Sequence, residues 1–158
     1  MADTYTVQRR RTMAAPADRI FLLVSNFQQW TRWSPWEELD PKLERAYSGA
    51  ESGVGATYAW SGNRKAGAGR MEITHVEPDR QVRIDLEFLK PFKSRNTTTF
   101  DLTPADDGTT EVVWTMVGPR TWMTKALGFV FNPEKLAGND MEKGLARLEE
   151  TAKPTPAG

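Results

Sequence analysis

Five stretches between residues 54 and 118 alternate apolar and polar side chains, and a segment of helical periodicity follows them. That order constrains the fold more than any single motif. The clearest stretch is QVRIDLEFL (81–89), with Val82, Ile84, Leu86 and Phe88 on one side and Arg83, Asp85 and Glu87 on the other. A period of two belongs to a strand with one buried and one wet face. VGATYAWSG (54–62) groups Tyr58 with Trp60, and GRMEITHVE (69–77) groups Met71, Ile73 and His75. SRNTTTFDL (94–102) groups Asn96, Thr98, Phe100 and Leu102, and TEVVWTMVG (110–118) groups Val112, Trp114 and Met116. The turn-forming runs SGNRKAGAG, EPDR, KPFK and PADDGT separate them. This is the pattern of an antiparallel meander.

From residue 133 the period changes. Ala137, Met141, Leu145, Leu148 and Ala152 follow helical spacing, with Lys135, Glu142, Lys143, Arg147 and Glu149 on the outer face. Asn132 and Pro133 supply a cap and a first helical position. A helix over 133–152 is roughly 30 Å long at ~1.5 Å per residue, enough to cross a whole sheet. At the other end, YTVQRRRTM (5–13) has strand composition, and a short helix starts near Pro16. A second short helix covers NFQQWTRW, with Asn26 as its cap and its end near Trp33, because Pro35 disfavours a helical Ser34. The expected architecture is α+β: a bent antiparallel sheet of about six to seven strands around a long C-terminal helix, with two short helices after the first strand.

The 158 residues suit one domain over 1–152, followed by a disordered tail, KPTPAG (153–158). Basic and acidic residues balance at 21 each, which argues against nucleic acid and anionic membranes as partners. Cysteine is absent, which removes disulfides, thiolate metal sites and thiol catalysis. No apolar run approaches a membrane span, the start lacks a signal-peptide core, and a cytoplasmic protein is expected. No phosphate loop, dinucleotide fingerprint or metal-ligand cluster appears, so no cofactor is expected. A homodimer is compatible with the balanced charge.

APADRIF, WTRWSPWEELDP, GATYAWSG, AGAGRMEITHVEPDRQVRIDLEFLKPF, GTTEVVWTMVG and GNDMEKGLARLEE occur in this order across residues 4–152. In order and spacing they resemble the SRPBCC superfamily, the START/Bet v 1-like helix-grip proteins, in its bacterial polyketide cyclase/dehydrase-like branch. The resemblance implies a cavity between sheet and C-terminal helix that binds apolar molecules. Its members include lipid carriers, hormone receptors, aromatase/cyclases and co-chaperones, so fold leaves function open.

Tyr58, Trp60, Met71, Ile73, Leu86, Phe88, Phe100, Trp114 and Met116 would line such a cavity, with Met141 and Leu145 closing it and Asn96 and Thr98 orienting a ligand. Equally, these side chains fill a solid core. His75, the one histidine, is either a general acid or base at the cavity rim or a strand-end residue bonded to a neighbour or water. Asp40 and the Glu37–Glu38 pair are candidate acid/base groups at the mouth or plain loop carboxylates. Arg9 and Arg11 share parity with Val7 and Met13, so they either turn inward to meet a ligand carboxylate or stay wet through a strand irregularity. Trp122 belongs to an apolar run, 120–131, expected to form a lid rather than to dock on a bilayer. Three of the six tryptophans lie in one short segment: Trp30 and Trp33 as a clamp, Trp36 as a plug touching the ligand.

The function expected is binding or transport of an apolar or amphipathic small molecule, lipid-like or polyketide-like. One alternative is an aromatase/cyclase or dehydratase in which His75 or Tyr58 moves protons; another is a co-chaperone-like interaction module. A titratable group at the pocket centre separates the first two.

Overall fold

The computed structural model describes residues 4–34, 40–63, 67–90, 93–119 and 133–153, with side chains of the last segment from 138 onward. Seven strands form one antiparallel sheet: β1 (Thr4–Met13), β2 (Glu44–Gly49), β3 (Ala56–Ser61), β4 (Ala68–Glu77), β5 (Gln81–Lys90), β6 (Ser94–Pro104) and β7 (Thr110–Pro119). Their spatial order is β1-β7-β6-β5-β4-β3-β2, a meander closed by β1 beside β7. Helix α1 (Ala17–Val24) and a 3-10 helix (Phe27–Arg32) follow β1, and α2 (Pro133–Ala152) ends the fold. These are the elements expected, with one addition. In β2 every residue is exposed, so it carries no apolar alternation by which a sequence could reveal it.

The alternating faces bury as their period requires. Val82, Ile84, Phe100, Val112 and Trp114 are wholly inaccessible, as are Met141 and Leu148 of α2. Asn26 caps the 3-10 helix by accepting from the Gln28 N–H at 3.0 Å. That short helix and its C-terminal cap residue present Trp30 and Trp33 to β6 and β7. The two rings lie 4.6 Å apart, and each meets Phe100 edge-on at 5.9 Å. Trp33 meets Trp114 at 5.8 Å, and Phe100 stacks on Trp114 at 4.6 Å. Pairs of this geometry add roughly 0.5–1.5 kcal/mol each beyond the area they bury. The indole N–H groups find partners too: Trp30 donates to the Val24 carbonyl at 2.9 Å and Trp33 to that of Leu23 at 3.0 Å. Both ties run back to α1, so the pair clamps α1, the 3-10 helix and the sheet together.

One strand departs from simple alternation. Ile73 pairs with Ile84, but His75 pairs with Arg83 and Val76 with Val82, leaving Thr74 as an extra residue. Ile73 and Val76 are three positions apart and reach the same face only if one residue loops out, which is what a β-bulge does. The bulge turns His75 to the wet face beside Arg83, and His75 is exposed. The grouping of His75 with Met71 and Ile73 is thereby corrected.

Candidate ligand site on the inner sheet face

One row of residues crosses six strands. Tyr58 pairs with Met71, Met71 with Leu86, Leu86 with Asn96, and Tyr5 with Gly118. Gly118 joins the row beside Asn96, because a β-carbon built on it would strike Asn96 Oδ1 and come within 2.7 Å of Asn96 Cγ. The row thus reads phenol, thioether, isobutyl, amide, no side chain, phenol. Asn96 is four residues from Phe100, roughly 13 Å along β6 at ~3.3 Å per residue. The small accessibility left on this face lies in the row and next to it: Met71 7%, Leu86 5% and Met116 6%, against 0% for Ile73, Ile84, Phe100 and Trp114.

The missing side chain at Gly118 lets Tyr5 and Asn96 lean together. The Tyr5 hydroxyl donates to Asn96 Oδ1 at 3.0 Å in a buried contact. Burial pushes the Tyr5 pKa up to about 12, so the phenol is neutral throughout the physiological range. Among the described residues two side-chain atoms are buried without a partner, and both are here: Asn96 Nδ2 and Ser94 Oγ. Gly118→Ala is expected to wedge the Tyr5–Asn96 pair apart and cost roughly 1–3 kcal/mol, the usual range for overpacking. Urea denaturation of the variant checks this; an unchanged midpoint would mean the pair can move aside freely.

Other predicted residues divide into two sets. Tyr58, Trp60 and Phe88 form an aromatic arc, with Trp60 stacked near Tyr58 at 6.1 Å and meeting Phe88 edge-on at 5.8 Å. Gly69 makes room for it, since a β-carbon there would lie 2.5 Å from the Trp60 ring. Ile73, Phe100, Trp114, Met141 and Leu145 are the more deeply buried set, at 0–1% exposure, within the one core cluster that also holds Tyr58, Met71 and Leu86. Thr98 is part of the same packing: its hydroxyl accepts from Trp114 Nε1 at 2.7 Å and donates to the Thr115 carbonyl at 3.3 Å. Trp36, Trp122 and the whole 120–131 run lie outside the described residues, as do Glu37 and Glu38. Asp40 is a loop staple, accepting from the Lys42 and Asn63 N–H groups at 2.8 Å each. A separate shallow cleft of about 110 Å³ opens between Phe27, Tyr47, Ala56 and Thr57. It is smaller than the roughly 300–1,000 Å³ of ordinary small-molecule pockets.

Arg9 and Arg11 of β1 point toward α2 and meet carboxylates of this chain. Arg11 Nε donates to Glu149 Oε1 at 2.8 Å, and the Ala14 N–H donates to Glu149 Oε2 at 2.8 Å. Arg9 lies 3.9 Å from Glu142 and donates to the Gln8 carbonyl at 2.8 Å. Its guanidinium occupies the space that a side chain at Gly138 would need. Glu149, expected on the outer face, is buried at 8%. A helix laid beside an edge strand turns one flank toward that strand, and helical periodicity alone does not say which charges lie on that flank.

Tyr5, Ser94 and Gly118 had no place among the expected site residues. Tyr5 shares parity with Val7, which is legible, but the arginines at 9 and 11 obscured the inward face of β1. Among the described residues no group of three His, Cys, Asp or Glu is placed to hold a metal. No described helix is long and apolar enough to cross a membrane.

A sheet whose buried inner face is apolar, with a few neutral polar groups among the apolar ones, invites comparison with known proteins. Residues 4–153 match the family described as polyketide cyclase / dehydrase and lipid transport. The chain belongs to this family. Three solved structures place it among related folds. A protein of Chromobacterium violaceum superposes with a TM-score of 0.67 at 15% identity, covering 95% of this chain and 99% of its own. The Aha1 dimer of Colwellia psychrerythraea gives 0.64 at 14% identity, with 94% and 96% covered. CalU16 of Micromonospora echinospora gives 0.60 at 17% identity, with 96% and 86% covered. At these identities the likeness is one of fold, the helix-grip sheet and helix. No curated protein matches the chain in sequence.

Proposed function

We propose that the protein binds and carries an apolar or amphipathic small molecule against the inner sheet face, along the row from Tyr58 to Tyr5. The observation that carries this reading is the chemistry of that row. Its side chains are aromatic, thioether, aliphatic and amide, and its titratable groups, Tyr58 and Tyr5, are phenols. Tyr5, held at about 12, is no base near neutrality. Acid–base catalysis works best with a group whose pKa lies near the operating pH. His75, the natural candidate, is exposed on the opposite face. A wall of this kind retains and orients a molecule, and the family's description, which names lipid transport beside polyketide cyclase / dehydrase, is compatible with the carrier reading.

Native mass spectrometry of protein purified from the organism that makes it, followed by solvent extraction, tests the proposal. The expected result is a stoichiometric apolar adduct. Protein that is empty from native cells, and that takes up no apolar probe afterwards, would defeat the carrier reading. A melting shift is a weaker test, because even a hundredfold excess of ligand over its dissociation constant adds only ~2.7 kcal/mol.

A further inference from the structure

We propose that Asn96 and Tyr5, with Ser94 beside them, form a polar subsite that recognises an uncharged acceptor oxygen, a ketone or ester carbonyl, on an otherwise apolar ligand. This deepens the carrier reading above and rests on it. Buried polar groups in folded proteins are nearly always hydrogen-bonded, so each exception calls for an explanation. Here two exceptions, Asn96 Nδ2 and Ser94 Oγ, fall two residues apart on one strand, about 7 Å at the rise of a β-strand. Asn96 is 1% exposed, so bulk water does not satisfy its amide.

Either orientation of the amide leaves a donor to spare. With the Tyr5 hydroxyl donating to Oδ1, as at 3.0 Å here, both Nδ2 hydrogens are unspent. With the amide reversed, Nδ2 donates one hydrogen to the Tyr5 oxygen, the phenolic hydrogen and the second Nδ2 hydrogen are the spare donors, and Oδ1 is left as a spare acceptor. In both cases a ligand acceptor finds a donor, and in the orientation observed, with both Nδ2 hydrogens unspent, an acceptor is what the amide lacks.

The oxygen must also be uncharged. The burial that raises the Tyr5 pKa to about 12 disfavours an anion at this spot, and a ligand carboxylate would meet the same penalty. Relief would require a cation. The arginines of the same strand and parity, Arg9 and Arg11, are turned to Glu142 and Glu149 instead. Gly118 completes the design, since its lack of a side chain is what allows amide and phenol to meet.

The test uses two probes of equal shape, 2-acetylnaphthalene and 2-ethylnaphthalene, which differ by a carbonyl in place of a methylene. With the wild-type protein, the ketone is expected to move the Asn96 side-chain amide resonances in a ¹H–¹⁵N spectrum, while the hydrocarbon leaves them in place. Asn96→Leu is expected to weaken ketone binding by roughly three- to tenfold, the range of one uncharged hydrogen bond, without weakening the hydrocarbon. The carbonyl stretch of the bound ketone should rise to its alkane-like frequency in the same variant. If both probes bind and the Asn96 amide ignores both, the polar subsite is overturned while the carrier reading stands. If neither probe binds, both fall. Should Asn96→Leu fail to fold, the wild-type spectrum decides alone.

Discussion

Trp33→Ala is expected to lower the free energy of unfolding by about 3–5 kcal/mol, the cost typical of deleting a large buried aromatic. Trp33 is 1% exposed and packs on Trp30, Phe100 and Trp114 at ring separations of 4.6, 5.9 and 5.8 Å. Its removal opens a cavity where three rings meet, and it also strips the Leu23 carbonyl of its indole donor. Native proteins have about 5–15 kcal/mol of stability in all, so the variant should be near the edge of folding at room temperature. Trp33→Phe separates the two contributions by keeping an aromatic ring while removing the N–H, and should be the milder change. Urea melts followed by circular dichroism give both values, with the midpoint moving at constant slope. A loss below about 1 kcal/mol for Trp33→Ala would show that the tryptophans are not a clamp.

Glu149→Ala should be the next largest loss, roughly 1.5–3 kcal/mol at neutral pH, the range for hydrogen bonds to a charged group. The expectation lies toward the lower end because Arg11 is 45% exposed and its charge is partly screened. Two contacts fail together: the Arg11 guanidinium and the Ala14 N–H both lose their acceptor. Acid reports on the same pair. Burial pushes the Glu149 carboxyl up, but the Ala14 N–H, the Arg11 hydrogen bond and charge, and the Lys153 charge outweigh it, leaving its pKa below the ordinary value. A carboxylate depressed on folding contributes stability that is complete above its unfolded pKa, about 4.3 for glutamate. That contribution is lost as pH falls through the folded value. The stability gap between wild type and Glu149→Gln should therefore be steady from pH 7 to about 5.5 and shrink as pH drops past about 4. A gap independent of pH would mean that shape rather than charge holds β1 to α2.

Much of this fold is legible in the order of the residues alone. The period-two runs of β3 to β7 need only the rule that neighbouring side chains on a strand face opposite ways, and the 133–152 helix only the 3.6-residue repeat. Where a local rule meets a competing long-range demand, legibility ends. His75 obeys parity until Ile73 and Val76 both have to reach the core, and the bulge at Thr74 resolves that conflict at the histidine's expense. β2, exposed along its whole length, is a strand because β3 offers it a ladder. Its own composition says nothing of the kind.

The sequence by itself therefore determined the elements, their order and their apolar faces, since these follow from interactions among residues a few positions apart. Only the tertiary structure decided which polar groups would meet. Tyr5 and Asn96 are separated by 91 positions, and Arg11 and Glu149 by 138. Their pairing depends on β1 lying against β7 and α2 lying along β1. A hydrogen bond is specific over a few tenths of an ångström, whereas hydrophobic burial tolerates many arrangements. Patterns of burial can be read from one dimension; the placement of polar partners needs the third.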